Sequence, residues 1–205
     1  MDPLRETPAP DTGCPDYNLD ALVADVRRSV ESATAVEELL RQITRHLGRL
    51  AANQGFLERD FELPPDGDWE PRLLHRDAEY GFVIDLFRFP PGGQSAVHDH
   101  GAAWVVAAVY RGRLHSIEYD RLDDGSVAGR GELRVVREAS IGPGDVIAIR
   151  PRAAHRIANI TDAVTVGLHI SECDLAQLWR NAYDLERGLV KRIRLGPTRF
   201  ARRHT

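Results

Sequence analysis

The sequence is poor in cysteine and in long apolar runs. Its 205 residues include only two cysteines, Cys14 and Cys173, and neither has a second cysteine near it in the chain, so neither belongs to a C-x-x-C metal or redox motif. No stretch approaches the roughly 18 apolar residues that a transmembrane helix needs. The Pro-rich, acidic beginning lacks the basic and then apolar pattern of a signal peptide. We therefore expect a cytoplasmic protein without a disulfide framework and without a membrane partner.

An excess of positive charge is also missing. Lys and Arg number 27 against 31 Asp and Glu, which gives a formal net charge of −4. Such a chain has no electrostatic reason to bind nucleic acid or anionic lipid. With 42% apolar and 28% charged residues, its composition is close to that of an ordinary globular protein. The length predicts one domain with additions. A monomer and a homodimer are both left open by the sequence.

The first part of the chain predicts a leader followed by helices. Four prolines lie within residues 1–17, which we expect to form a mobile leader ahead of a single domain over 18–205. Apolar residues at helical spacing predict two amphipathic helices over 18–52, beginning at the capping residue Asn18. Each helix needs a surface on which to bury its apolar face.

The pattern of residue types changes at about residue 69. From 69 to 171, short runs rich in Val, Ile and aromatics alternate with Gly- and Pro-containing turns, which predicts an all-β barrel or sandwich. Beyond it, apolar residues at helical spacing predict a C-terminal helix over 172–190. The basic residues 191–205 are expected to form a solvated tail. The predicted fold is thus an all-β barrel with N-terminal helices and a C-terminal helix.

Histidines carry the clearest chemical pattern. His98 and His100 form an H-x-H pair, and on an extended strand such a pair points to one face. His155 lies in a second block of glycine turn and strand further along the chain. Imidazole is the commonest neutral metal ligand, so these three histidines predict a metal site inside the barrel. The alternative for the H-x-H pair is a chance occurrence on a polar strand face.

The two histidine blocks resemble the two motifs of the cupin superfamily. The first motif is matched by Gly93, His98, His100 and Gly112. The second is matched by Gly144, Asp145, Pro151, His155 and Asn159, with Ala153 where the motif has glycine. The resemblance implies a double-stranded β-helix, or jelly-roll, barrel with a metal bound inside it.

The carboxylate of the first cupin motif is missing. It is expected four or five residues after His100, where this chain has Trp104 and Val105. Three neutral ligands leave a divalent metal its full charge, and Fe(II) in such a site can take a thiolate and O₂ in its open positions. Zn, Ni and Mn also suit three histidines.

With HDHG and a following tryptophan, the stretch from about Trp69 to Ser171 is similar to the thiol dioxygenase family, of which cysteine dioxygenase is the best known. The resemblance implies Fe(II)-dependent oxidation of a small thiol acid, such as cysteine or 3-mercaptopropionate, to its sulfinate, with the thiol and O₂ as partners. It also implies that Arg72 binds the substrate carboxylate through two charge-assisted hydrogen bonds. A surface arginine on an edge strand is the alternative for Arg72.

The same family carries a Ser-x-His-x-Tyr motif, which falls here on Gly167, His169 and Ser171. The resemblance implies a catalytic role for the retained His169, and a buried structural histidine is the alternative. Two other functions stay open on the sequence. One is a different metal-dependent cupin enzyme, an isomerase or a carbon-substrate dioxygenase using Zn, Mn or Ni. The other is a non-catalytic cupin binding module.

Overall fold

The computed structural model describes residues 17–65, 67–194 and 198–204. The helices in these ranges are α1 (Leu19–Ser32), α2 (Val36–Ala52) and α3 (Phe56–Asp60). The strands are β1 (Phe61–Glu62), β2 (Arg72–Arg76), β3 (Val83–Phe89), β4 (Val97–His98), β5 (Val105–Arg111), β6 (Leu114–Arg121), β7 (Leu133–Ile141), β8 (Val146–Ile149), β9 (Ala154–Asn159), β10 (Thr165–Ser171), β11 (Arg180–Asp184), β12 (Leu189–Ile193), β13 (Arg199–Phe200) and β14 (Arg202–Arg203).

The strands form two six-stranded sheets. The first has the order β13-β2-β3-β10-β5-β8 and the second the order β12-β11-β4-β9-β6-β7, while β1 pairs with β14. Neighbouring strands run antiparallel, apart from β13 and β2, which are parallel. Strands far apart in sequence lie side by side in both sheets, which is the winding of a double-stranded β-helix. The predicted fold class, a jelly-roll barrel with N-terminal helices, is confirmed.

Apolar side chains of the two sheets meet in a core between them. Phe87, Val105 and Ile147 of the first sheet belong to one buried cluster with Leu114 and Ile157 of the second. A larger cluster lies on the other face of the first sheet, where the helices cover it. The first sheet is therefore buried on both faces, which explains its nearly continuous apolar strands.

The N-terminal helices cover the outer face of the first sheet. Asn18 caps α1, where its side chain accepts a hydrogen bond from the Ala21 amide at 3.0 Å. Leu22 and Leu47 share a buried cluster with Leu168 of β10, and each such leucine contributes about 1.5–3 kcal/mol by leaving water. No described helix combines the length and the apolar character required to cross a bilayer.

A tight turn carries the chain from the second sheet to the first. It joins β7 to β8 at residues 142–145, where Gly144 has φ = 85°, a conformation that side chains with a Cβ disfavour. The Asp145 carboxylate closes the turn by accepting a hydrogen bond from the Gly142 amide at 2.8 Å. The strand β9 that follows β8 lies in the second sheet and brings His155 beside β4.

The predicted C-terminal helix over 172–190 is wrong. This stretch forms turns and then the hairpin of β11 and β12. The reason is pairing across the sheet: β4 exposes an edge, and β11 covers it with Ala182 opposite His98. The helical spacing of apolar residues there was misleading, since one of them, Trp179, is half exposed.

The predicted ends of the domain also need correction. The leader over 1–17 lies outside the described residues except for Tyr17, which is buried and donates a hydrogen bond to Asp25 at 2.6 Å. The described residues of the tail over 191–205 are largely exposed, as predicted, but β13 extends the first sheet beside β2 and β14 pairs with β1. Barrel strands therefore continue beyond residue 171.

Candidate metal centre

Three histidines converge between the sheets. His98 on β4 and His155 on β9 are direct cross-strand partners, and their ring centroids are 4.5 Å apart. The His100 ring lies 4.9 Å from each of the other two. One ring nitrogen of each histidine lies within 4.8 Å of those of the others, a spacing at which one ion can contact all three.

The strand that bears the H-x-H pair is shorter than the sequence suggests. β4 ends at His98, so His100 lies in the loop beyond it. Between them, Asp99 points away from the cluster and accepts hydrogen bonds from the Asn181 amide at 3.0 Å and from the Tyr183 hydroxyl at 2.9 Å. Asp99 thus ties the ligand loop to β11, and its fixed position keeps both imidazoles on the opposite side.

Burial keeps the imidazoles neutral. It lowers the pKa of His98 to about 4 and holds the pKa values of His100 and His155 well below the ordinary range. The His100 Nε2 and His155 Nδ1 atoms are buried without a hydrogen-bond partner in the described residues. Neutral, unpartnered ring nitrogens are what a divalent transition metal requires of its ligands, so the residues fit such an ion.

The cluster contains no acidic ligand. Among the residues that the structure describes, only the three histidines belong to it. At the motif position of the carboxylate, Trp104 is buried and Val105 begins β5 and packs in the core between the sheets. A metal held here would keep its full positive charge and attract an anionic ligand.

A cavity of about 160 Å³ lies beside the cluster. It is smaller than the roughly 300–1,000 Å³ of sites for drug-sized ligands, which favours a small ligand. Its walls include Val83, Phe87 and Leu175, and its polar lining includes Asp85 and Arg180. Only a small ligand can therefore reach the three imidazoles from this side.

Arg180 is the cavity residue that the sequence did not reveal. It begins β11, is 8% exposed, and lies with Nη1 3.3 Å from the His100 Nδ1. It forms no ion pair within the described residues, and its Nε has no hydrogen-bond partner. Burial lowers its pKa, although the charges of Asp99 and Asp85 act in the opposite direction. A buried guanidinium with no carboxylate in direct contact is costly, so this position favours an anionic ligand. Because residues 172–190 were predicted to form a helix, the strand that carries Arg180 was not expected.

Arg72, predicted to bind the substrate carboxylate, does not border this cavity. It alternates on β2 with Leu73, which does, and it lies opposite Leu86 of the helix-side cluster. Its guanidinium forms an ion pair with Asp68 and donates to the backbone oxygens of residues 70 and 71 at 3.1 Å. In this structure Arg72 is thus held by a local carboxylate and by backbone oxygens, and strand alternation turns it away from the cavity.

His169 reaches the cavity from β10. Its ring stacks on Phe87, with the centroids 4.2 Å apart. A Cβ at position 167 would overlap the Phe87 ring, which explains why glycine occurs there instead of the serine of the resembled motif. Ser171, in the place of the motif tyrosine, donates its hydroxyl to the Cys173 carbonyl oxygen at 2.9 Å.

Comparisons with known proteins give structural similarities at low sequence identity. Neither a protein-family model nor a curated protein sequence matches the chain. The chain is similar to a solved Klebsiella pneumoniae protein with a double-stranded β-helix domain, at 14% identity and a TM-score of 0.41 over 54% of this chain and 77% of that one. An oxalate oxidase in complex with glycolate gives 19% identity and a TM-score of 0.42 over 57% of each chain. A cupin superfamily protein from Desulfitobacterium hafniense gives 16% identity and a TM-score of 0.40 over 55% of this chain and 84% of that one.

At these identities the likeness concerns the fold alone. The strand order and the histidine cluster define a double-stranded β-helix whose three grouped imidazoles could hold a metal between its sheets. What the site does with that metal depends on the side chains that surround it.

Proposed function

We propose that the protein is an Fe(II)-dependent thiol dioxygenase that converts a small thiol acid, of the cysteine or 3-mercaptopropionate type, to its sulfinate with O₂. The observation that carries this proposal is the meeting of three neutral imidazoles and one buried guanidinium, which no carboxylate contacts directly within the described residues, in a single small cavity. A soft thiolate and a carboxylate on one short molecule would satisfy both features at once.

In this proposal His98, His100 and His155 hold the iron. The His98 Nδ1 lies 2.9 Å from the Ala96 carbonyl oxygen, so that nitrogen donates and the Nε2 keeps its lone pair for the ion. A ferrous ion in the cluster supplies the redox chemistry that joins O₂ to sulfur. The chain itself fixes the ligand geometry and keeps the imidazoles unprotonated at neutral pH.

Arg180, rather than Arg72, binds the substrate carboxylate. Its planar guanidinium can donate two parallel hydrogen bonds to a carboxylate, which a lysine cannot reproduce. Its contact with His100 sets it beside the metal cluster, so a carboxylate bound there leaves the thiol end of a short molecule within reach of the cluster. His169 serves as the catalytic side chain on the opposite wall of the cavity, while Phe87 and Leu175 exclude water.

The test is reconstitution of the purified protein with Fe(II) under anaerobic conditions, followed by O₂ uptake with cysteine, 3-mercaptopropionate and cysteamine. We expect uptake and sulfinate formation with a carboxylated thiol and little with cysteamine, which lacks the carboxylate. Absence of thiol-dependent uptake with all three would refute the dioxygenase. Tight thiol binding without uptake would instead indicate a binding module. Zn, Mn or Ni in protein purified without added metal would indicate another cupin enzyme.

A further inference from the structure

The cavity wall opposite Arg180 contains an acidic residue beside a histidine. Asp85 on β3 and His169 on β10 are cross-strand partners in the first sheet, and both side chains border the cavity. The His169 Nδ1 lies 3.3 Å from the Asp85 Oδ1. A carboxylate therefore lies next to one edge of the imidazole, and the Nε2 on the far side of the ring is left for a ligand.

The His169 ring is also held across its face. It stacks on Phe87 at an interplanar angle of 27°. The Phe87 ring in turn lies against Gly167, where there is no space for a Cβ. With a ring against its face and a carboxylate at its edge, the imidazole has one preferred orientation.

Among the described residues, no group other than His169 lies within ion-pair distance of the Asp85 carboxylate. It is buried, and its Oδ1 has no aligned hydrogen bond within the described residues. Another buried aspartate near a histidine, Asp77, differs in this respect. Its carboxylate lies 3.4 Å from His75 but also accepts hydrogen bonds from Arg27 at 2.7 Å and from two backbone amides. The Asp77 carboxylate is thus fully hydrogen-bonded, whereas Asp85 borders the cavity with the His169 imidazole as its nearest polar partner and the Arg180 charge farther away.

We propose that Asp85 is a positioning residue that fixes His169 with a proton on Nδ1 and a free lone pair on Nε2, so that the pair accepts the proton of the substrate thiol. This inference rests on the proposed function. Long, poorly aligned hydrogen bonds are common in catalytic sites without substrate, and the 3.3 Å separation is of that kind. The arrangement follows the logic by which a buried carboxylate selects the tautomer of a catalytic histidine.

The proton transfer balances without any further reactant. The S–H bond of the thiol breaks, its electron pair stays on sulfur as the thiolate that binds the ion, and the proton goes to the His169 Nε2. The imidazolium that forms is stabilised by the Asp85 carboxylate. Arg180 binds the carboxylate at the other end of the molecule. The Asp85–His169 pair and Arg180 would thus contact the two ends of one small ligand.

The tautomer is measurable in the metal-free protein by long-range ¹H–¹⁵N correlation NMR of the histidine rings. His169 is assigned by its loss in His169→Gln, and His75→Gln serves as the matched control. We expect the Nδ1–H form of His169 in the wild type and a shift towards Nε2–H in Asp85→Asn and Asp85→Ala. An unchanged tautomer in both Asp85 variants, or Nε2–H in the wild type, would overturn the positioning role.

Proton release tests the acceptor role. Anaerobic addition of 3-mercaptopropionate to iron-loaded protein in weakly buffered dye solution should release about one proton more per bound thiol in Asp85→Asn and His169→Gln than in the wild type or His75→Gln. The kcat of both variants should fall, by roughly 10²–10⁴-fold for His169→Gln. Equal proton release in all four proteins with full thiol binding would refute the pair as the acceptor. Failure of the wild type to bind any thiol refutes the proposed function instead, and the tautomer measurement then decides the role of Asp85.

Discussion

Asp99, which lies between two histidines of the metal cluster, accepts a hydrogen bond from the Tyr183 hydroxyl at 2.9 Å. The same carboxylate binds the Asn181 side-chain amide at 2.8 Å. Because Asn181 follows Arg180 on β11, Asp99 links the loop that carries His100 to the strand that carries the cavity guanidinium. The Asp99 carboxylate therefore positions both the loop that carries His100 and the strand that carries the Arg180 guanidinium.

The Tyr183–Asp99 contact makes stability fall at alkaline pH. Burial, with the charge of Asp99, raises the pKa of Tyr183 to about 12. A folded-state pKa above the ordinary value near 10 stabilises the protein below pH 10, and this contribution is lost as pH rises towards 12. We expect the free energy of unfolding to fall more for the wild type than for Tyr183→Phe, by no more than about 1–2 kcal/mol after solvent screening. Urea unfolding at pH 9 and pH 11.5 measures the difference, and parallel curves would contradict it.

Removal of a metal ligand should empty the site and leave the fold. His155→Ala takes one of three imidazoles from the cluster, and we expect bound iron to fall by more than about tenfold, since even the loss of a residue that supports a ligand costs that much. Elemental analysis after anaerobic loading measures the iron, and circular dichroism checks the fold. His75→Ala, on a histidine that does not border the cavity, should keep its iron. Full iron content in His155→Ala would show that another side chain binds the metal.

Substitutions of Arg180 and of Arg72 should have different effects on the steady-state kinetics. Arg180→Lys retains a positive charge but loses the paired hydrogen bonds, so we expect the KM for 3-mercaptopropionate to rise by a factor that corresponds to about 2–4 kcal/mol, with little change for cysteamine. Arg72→Ala should leave both KM values near those of the wild type and lower only the stability. A carboxylate-specific defect in Arg72→Ala alone would restore the role that the sequence first suggested.

Position 167 should tolerate a side chain only if Phe87 becomes smaller. A serine Cβ there would overlap the Phe87 ring, and overpacking of a core typically costs about 1–3 kcal/mol. We expect Gly167→Ser to lower the melting temperature and the double variant Gly167→Ser/Phe87→Leu to be more stable than the sum of the single effects predicts. Strict additivity in a double-mutant cycle would show that the two positions do not interact.

The sequence predicted the fold class and the histidines that meet between the sheets, because both leave local marks. Gly-rich turns such as 142–145 and the H-x-H spacing are readable within a few residues. The approach of His155 to His98 is not local; it was predicted because both lie in blocks of glycine turn and strand, and the resemblance of the two motifs supported it. In the structure, the pairing of β4 with β9 places His98 opposite His155, a contact that spacing along the chain does not specify.

Arg180 and the hairpin that carries it could not be predicted in the same way. The apolar residues of 172–190 have helical spacing, and the deciding factor is an open strand edge at β4 that exists only after the barrel has formed. The position of Arg72 was equally hard to predict. A residue's distance along the chain from the histidines does not tell which face of its strand it occupies, and Arg72 lies on the helix-facing side.

The hairpin of β11 and β12 reaches the cavity at the margin of the second sheet, whereas the three imidazoles stand on strands and a loop contributed by the barrel proper. In the proposed function, ion binding and recognition of the ligand's charged end therefore belong to separate stretches of chain, joined through Asp99 and through the contact of Arg180 with His100. In the proposed function, such a peripheral hairpin can change in length or sequence without supplying or removing an imidazole, provided that its contacts with Asp99 are kept. Within this architecture, a new molecular preference is thus more accessible than a new metal.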